Sequence, residues 1–273
     1  MTERNIFPKG IVKGYFVKFS FFFAFFLRDG GKNAMLNGKS GREAFSMVEN
    51  RIVLTDISFT PTLSMAADGV FYQGTETDPA LGRLLERCKA VAKPKAVAVC
   101  LEVSHDADGH VTAIGDEPMR SIVLDEQLKN LHRVFAYVTT CGTEMANVDY
   151  EGSDELRRAL LSFCLGGMHS AMDALLSELE ARYHLGKTGV LNPGSLPEWP
   201  LSEQPKLFRL LGNVTGDIGV TLEANNFMSP LATSSGLLFE TEQDYQNCSY
   251  CTNLKCVIRR APYEPEKAKT IRG

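Results

Sequence analysis

Three cysteines near the C-terminal end, Cys248, Cys251 and Cys256, stand at CxxCxxxxC spacing. Once deprotonated, thiols so spaced can turn to one side of a loop and share a soft metal ion or cluster. The pattern points to metal without naming it, because thiolates suit zinc as well as iron and sulfide. An iron–sulfur cluster, a closed zinc knot that ties down the chain end, and a disulfide all remain open. A metal would need a fourth ligand, for which Cys141, directly after a strand-like run in VTTCGTE, is the candidate within the chain. The alternative for Cys141 is simple packing, since a free thiol behaves as a small buried hydrophobe.

His169 and Asp173 are four residues apart in a helical run and so share a face. They could bind a polar ligand group or position a proton, or they could form a solvated helix edge. Gly166 and Gly167 lie beside them, where each costs about 1 kcal/mol relative to alanine in mid-helix. The pair therefore suggests close approach to another element or ligand. The remaining histidines show no catalytic spacing, and no serine-nucleophile motif or phosphate loop is present.

These residues need elements to hold them. The long helix runs from about Ser153 to Tyr183, with Ser153 as N-cap, acidic residues in the first turn, and a stripe through Leu156, Leu160, Phe163, Met168, Ala171, Leu175 and Leu179 that packs on a sheet. Pro79–Ala92 reads as a shorter amphipathic helix. Strand-like runs occur at Arg51–Phe59, Lys95–Val103, His110–Ile114, Met119–Leu124, Arg133–Thr140, Ile218–Leu222 and Ser235–Glu240, and the turn at Asp106–Gly109 joins two of them as a hairpin. A Pro/Gly-rich loop over Pro193–Pro200 leads into a short helix, Leu201–Leu211. Strands clustered around one long helix predict an α+β fold with a twisted, mostly antiparallel sheet and flanking helices.

The chain of 273 residues carries a net charge of -4, which supplies no field attracting nucleic acid. Seven cysteines, several in apolar runs, do not resemble a secreted disulfide framework and fit a reducing cytoplasm. The aromatic stretch Tyr15–Leu27 resembles a signal-peptide core, but it is shorter than the roughly 20 apolar residues of a membrane span and is interrupted by Lys18. A start at Met35 or Met47 is the alternative. The expected organisation is an N-terminal extension over 1–46, disordered or ahead of the true start, a folded domain over 47–247, and a cysteine-rich tail over 248–273.

From the long helix onward, NPGSLPEWPLSEQPKLFRLLG and IGVTLEANNFMSPLATSSGLLF follow in an order that resembles the reactivation domain of cobalamin-dependent methionine synthase, in a short free-standing form. Pro193, Gly194, Pro200, Lys206, Thr221, Leu222, Met228, Pro230, Ser235 and Gly236 match that family's motif positions, and the resemblance spans roughly residues 50 to 262. It implies a C-shaped domain that binds S-adenosylmethionine and caps the cobalamin of a partner protein, so that oxidised cobalt can be reduced and remethylated. The implied partners are a corrinoid-binding methyltransferase or corrinoid protein and an electron donor, with no nucleic acid and no membrane. Asp173, Pro193, Gly194, Ser195, Thr221 and Glu223 are the residues it assigns to the cofactor cleft. Two positions depart from the family: Val190 stands where it has an arginine, and Ser195 where it has a tyrosine, both of which help hold S-adenosylmethionine. The cysteine tail lies outside the classical domain, where it could bring its own redox centre.

Overall fold

The computed structural model describes residues 50–256 and 259–272. The aromatic stretch Tyr15–Leu27 and the candidate starts Met35 and Met47 lie outside the described residues.

The chain enters a short strand, β1 (Arg51–Leu54), then a helical turn, α1 (Leu63–Ala67), and the amphipathic helix α2 (Pro79–Val91). The strand expected to reach Phe59 stops at Leu54, and Thr55–Ser58 instead form one wall of a cleft described below. Asp78 caps α2 by accepting from Ala80 N at 2.8 Å, and Pro79 occupies the first turn, where no N–H is needed. The long strand β2 (Lys95–His105) and β3 (Val111–Ile114) form the expected hairpin, extended by β4 (Glu117–Pro118). Asp106 tightens the turn, its carboxylate accepting from the N–H groups of Asp108 and His110.

The run expected as a strand over Met119–Leu124 is instead a helix, α3 (Ile122–Leu128). Its Ile-Val-Leu core is too short for periodicity to separate strand from helix. Burial decides the matter: Val123, Leu124 and Leu128 lie on one helical side in the core. The central strand β5 (Arg133–Thr140) follows, then the turn α4 (Thr143–Ala146) and the 30-residue helix α5 (Asp154–Tyr183). Ser153 caps α5 by accepting from Leu156 N at 3.3 Å, and His184, in a left-handed conformation with φ 53°, ends it. By length and composition α5 could cross a bilayer. Its apolar stripe, from Leu156 to Leu179, is spent on the sheet and on α2.

After α5 come the edge strand β6 (Thr188–Leu191), a 3-10 turn at Leu201–Glu203 and α6 (Gln204–Leu211). The strand expected over Ile218–Leu222 is shortened because Ile218 closes a one-turn helix, α7 (Val214–Ile218), capped by the Asn213 side chain, which accepts from Gly216 N at 3.0 Å. Gly219, at φ 75°, ends that turn, and only Thr221–Leu222 is extended, as β7. It pairs with β8 (Met228–Ser229), and β9 (Thr233–Glu240), α8 (Asn247–Tyr250) and α9 (Pro265–Thr270) complete the described chain.

The main sheet has strand order β4-β3-β2-β5-β9-β6, with β1 also on β2, and every registered pair in it is antiparallel. The fold is thus α+β with helices on an antiparallel sheet, as expected. Side chains alternate across the strands. Ala96, Ala98, Phe135, Tyr137 and Leu238 face α5, while Val97, Val134, Ala136, Val138, Leu237 and Phe239 join the opposite layer with α3, α6 and α7. Both faces are covered, so the central strands read as continuous apolar runs.

The glycine pair in α5 behaves as its cost implies. A Cβ on Gly166 would lie 2.9 Å from Met65 Sδ, and one on Gly167 would lie 2.8 Å from Met145 Cε, so α1 and α4 press directly on the helix backbone. The tail is part of the same core, with Tyr250 and Ile271 buried in the α3/α6/α7 layer.

Candidate functional site

The Pro-Gly loop and the Ser-Ser-Gly strand meet through a single side chain. Asn192, the last residue before Pro193, donates its amide to Tyr137 Oη and to the carbonyl of Ser235, each at 2.8 Å. Its own oxygen accepts from Asn247 Nδ2 at 2.8 Å, and Asn247 in turn accepts from Tyr245 Oη at 2.8 Å. Tyr137 Oη also meets Ser234 Oγ at 3.1 Å, and the buried Gln204 on α6 reaches Ser235 Oγ at 2.6 Å. Five segments, β5, the end of β6, α6, β9 and the tail, are thus tied at one corner of the sheet. Tyr137 is fully buried, and burial raises its phenol above the ordinary value, against the opposing pull of its hydrogen bonds to Ser234 and Asn192.

Gly236 makes this junction possible. A Cβ there would stand 2.0 Å from the carbonyl oxygen of Leu191, so only glycine lets β9 and β6 approach at this register. Beyond Asn192 the chain folds back on itself. Gly194, at φ 80°, donates to Trp199 O at 2.8 Å, and Ser195 N donates to Asn192 O at 3.1 Å. Pro193 is buried, Gly194 exposed, and Ser195 half-buried. Trp199 is buried beneath the loop, and the neighbouring Glu198 pairs with Arg272 at 2.7 Å, pinning the chain end to it.

The other expected cofactor residues sit elsewhere. Thr221 and Glu223 are exposed on the small β7–β8 hairpin, where Thr221 Oγ1 donates to Glu223 Oε1 at 3.2 Å. Asp173 lines an open cleft of about 650 Å³ between α5 and residues 53–58, together with Asp56, Ser170, Ser177 and Glu178. Desolvation there raises its carboxyl above the ordinary value. No hydrogen bond among the described residues joins Asp173, the Pro193–Ser195 loop and the Thr221–Glu223 hairpin to one another. His169, which shares a helix face with Asp173, meets the tail, with Arg260 Nη2 at 3.5 Å from its Nε2.

The cysteine trio does not assemble as a metal site. Among the described residues no three His, Cys, Asp or Glu side chains converge where an ion could be held. The cation gathered by this loop is a guanidinium. Arg259 donates to the carbonyls of Cys248 (2.6 Å), Cys251 (2.7 Å), Asn253 (2.8 Å) and Ala261 (3.1 Å), so the turn closes around it through backbone oxygens, and the sulfurs remain only half-buried. As arranged, these residues fit neither a zinc ion nor an iron–sulfur cluster. Cys141 is no fourth ligand either. It is fully buried in the α1/α2/α5 layer with Cys88 and Cys164, whereas Cys251 packs on the opposite layer. Burial pushes the Cys88 thiol up to about 12 and raises Cys164 as well, where contact with Cys141 acts first. These are packed thiols.

Asn192, Ser234, Tyr137, Gln204, Asn247 and Arg260 were not singled out from the sequence. A signal existed for some: Asn192 and Ser234 abut the two glycine motifs, and a tyrosine inside an apolar strand needs a partner for its hydroxyl.

No family model matches the sequence, and no curated protein does. Among solved structures, one titled "Crystal Structure of the MetH Reactivation Domain bound to AdoHcy" is similar to this chain. The two are 15% identical with a TM-score of 0.48, and the match covers 72% of this chain and 80% of that one. AdoHcy is a ligand of that protein.

Proposed function

We propose that this chain is a counterpart of the methionine synthase reactivation domain, which docks on a corrinoid methyltransferase in the cytoplasm and assists the reductive methylation of its cobalt. One observation carries the reading. The two motif segments of the resemblance, Pro193-Gly194 and Ser235-Gly236, lie more than forty residues apart in sequence, yet they meet at Asn192 with a glycine where no side chain would fit. In this reading S-adenosylmethionine supplies the methyl group, the partner's cobalamin receives it, and a separate one-electron donor reduces the cobalt beforehand. The protein's own contribution is orientation within a closed cleft, which needs positioned polar groups rather than a strong acid or base. Pro193, Gly194 and Ser195 would form one wall of that cleft and Thr221 and Glu223 another, while Asp173 lines the separate cleft beside residues 53–58 and takes no part in it. The seven free cysteines support a reducing location. The tail, closed around Arg259, acts as a structural strap.

A second reading has its own support. Val190, in place of the family's arginine, packs into the apolar layer beneath α5, so that strand offers no charge to a ligand. A corrinoid-binding module without S-adenosylmethionine would suit it. Calorimetric titration with S-adenosylmethionine separates the two: saturable heat supports the methyl-donor role, and none at millimolar ligand leaves the module. Failure to recover a cobalamin protein with the chain from its native cell would remove both.

A further inference from the structure

Cys248 and Cys251 bracket a single turn of the tail. Cys248 lies within α8 and Cys251 is its C-cap, with Cys251 N donating to Cys248 O at 3.3 Å. A chain turn of this kind brings its end Cα atoms within about 7 Å. A disulfide spans about 4.4–6.8 Å between Cα atoms, so the pair stands at bridging range. The Arg259 guanidinium keeps it there, because it takes the carbonyls of Cys248 and Cys251 together, at 2.6 and 2.7 Å. Arg260 N donates to Cys248 Sγ at 3.4 Å and so fixes the place of that sulfur. Both thiols are half-buried, within reach of a small reagent. Among the described residues no hydrogen bond joins the two sulfurs, so closing the bridge takes a change of rotamer, and the extended backbone of Cys251, at ψ 126°, frees it from the restrictions of a helical position. Cys256 is placed differently. It ends a second turn, its N–H donating to Asn253 O at 3.2 Å, and its carbonyl accepts from the backbone N–H of Arg259 rather than from the guanidinium.

The turn also carries a residue of the sheet corner. Asn247, immediately before Cys248, donates to Asn192 Oδ1 at 2.8 Å, and Asn192 leads into the Pro193–Ser195 loop. Tyr250, between the two cysteines, is buried in the core. We propose that Cys248 and Cys251 form a reversible intramolecular disulfide by exchange with a low-molecular-weight disulfide, and that this bridge stiffens the loop at Asn192 through Asn247. One thiolate attacks a sulfur of the external disulfide, forming a mixed disulfide and releasing one external thiol. The other attacks the protein sulfur of that mixed disulfide, closing the bridge and releasing the second. Two protein thiols are oxidised, their protons pass to the released thiolates or to solvent, and two electrons reduce the external disulfide to two thiols. In a reducing compartment such a bridge is transient and regulatory rather than a structural staple.

The test equilibrates the native full chain under nitrogen with reduced and oxidised glutathione at a series of ratios, followed by acid quench, alkylation and tryptic digestion. Cleavage after Arg209 and Lys255 leaves Cys248 and Cys251 on one peptide and Cys256 on the next. As the ratio turns oxidising, the first peptide loses both alkyl groups together and two hydrogens, and excess reduced glutathione restores them. Cys256→Ser behaves as the parent, whereas Cys248→Ser and Cys251→Ser stop at a glutathione adduct. In the bridged form, hydrogen exchange of the Asn192, Gly194 and Ser195 amides slows, while that of Thr112 and Ala113 on β3 is unchanged. No bridge at any ratio, a bridge that joins Cys256 to either partner, or one that forms only in urea overturns the site. A native bridge with unchanged exchange at Asn192, Gly194 and Ser195 overturns the coupling. The inference stands apart from the methyltransfer reading, because neither readout depends on S-adenosylmethionine or on a corrinoid partner.

Discussion

Asn192 is the residue whose loss says most about this fold. Replacing it with alanine removes three hydrogen bonds at once, those to Tyr137 Oη, to Ser235 O and from Asn247 Nδ2, each 2.8 Å long. Such a bond contributes about 0.5–1.5 kcal/mol net, while a buried group left unpaired costs about 1–3 kcal/mol. Tyr137 keeps Ser234 at 3.1 Å and so is not orphaned, and Asn247 is only half-buried. The expected destabilisation of Asn192→Ala is therefore near the sum of three net bonds reduced for partial exposure, about 2–3 kcal/mol. In a domain of this size about 1 kcal/mol moves Tm by 2–4 °C, so a fall of about 4–12 °C is expected. Urea unfolding followed by circular dichroism should show a lower midpoint at unchanged slope. Tyr137→Phe removes one shared bond, and the double variant should reveal a coupling of about 0.5–3 kcal/mol between the two sites. A Tm within about 2 °C of the parent for Asn192→Ala, or strict additivity with Tyr137→Phe, would refute the claim that the corner is one hydrogen-bonded unit.

Gly236→Ala sets a Cβ against the Leu191 carbonyl and should release β6 from β9; hydrogen exchange of the Gly189–Leu191 amides would rise, and unchanged protection would contradict the packing. In thiol labelling of the native protein, Cys248, Cys251 and Cys256 should react first, while Cys88, Cys141 and Cys164 stay unmodified until unfolding; early labelling at Cys141 would place it outside the core. Arg259→Gln should loosen the tail, seen as faster proteolysis near residues 248–256, more than serine replacement of the three cysteines does; the reverse order would restore a metal role to the thiols. The carboxyls of Glu117, hydrogen-bonded by Arg209, and of Glu264, hydrogen-bonded by Lys267, lie below their ordinary values. Their contribution to stability is complete above the ordinary carboxylate pKa of about 4.3 and is lost as pH falls through the lowered values, so Glu117→Gln should flatten the acid limb of the Tm profile, and a parallel profile would show that the pair adds nothing.

Much of the fold is written in local pattern. The stripe and cap of α5, the continuous apolar runs of β2 and β5, and the turn residues between β2 and β3 are each local signals, and the structure follows them. Where the pattern was short it misled: the apolar run within Met119–Leu124 fits a strand or a helical turn equally, and only the surface it packs on selects the helix Ile122–Leu128. The motifs likewise located Pro193-Gly194 and Ser235-Gly236 without saying that they touch.

The cysteine trio marks the limit most clearly. Spacing alone determines that three thiols can reach one point, and the cysteine usage does not resemble a secreted disulfide framework. Whether they converge depends on how the backbone of the turn is satisfied, and that is decided by Arg259, whose guanidinium takes the loop carbonyls and leaves the sulfurs outside. The approach of Arg260 to His169 is equally invisible in sequence, since the two are separated by 91 residues and meet only because the tail is strapped across α5. Local preferences act over a few residues of chain. Contacts between distant side chains follow from the packing of whole elements, which only the tertiary structure decides.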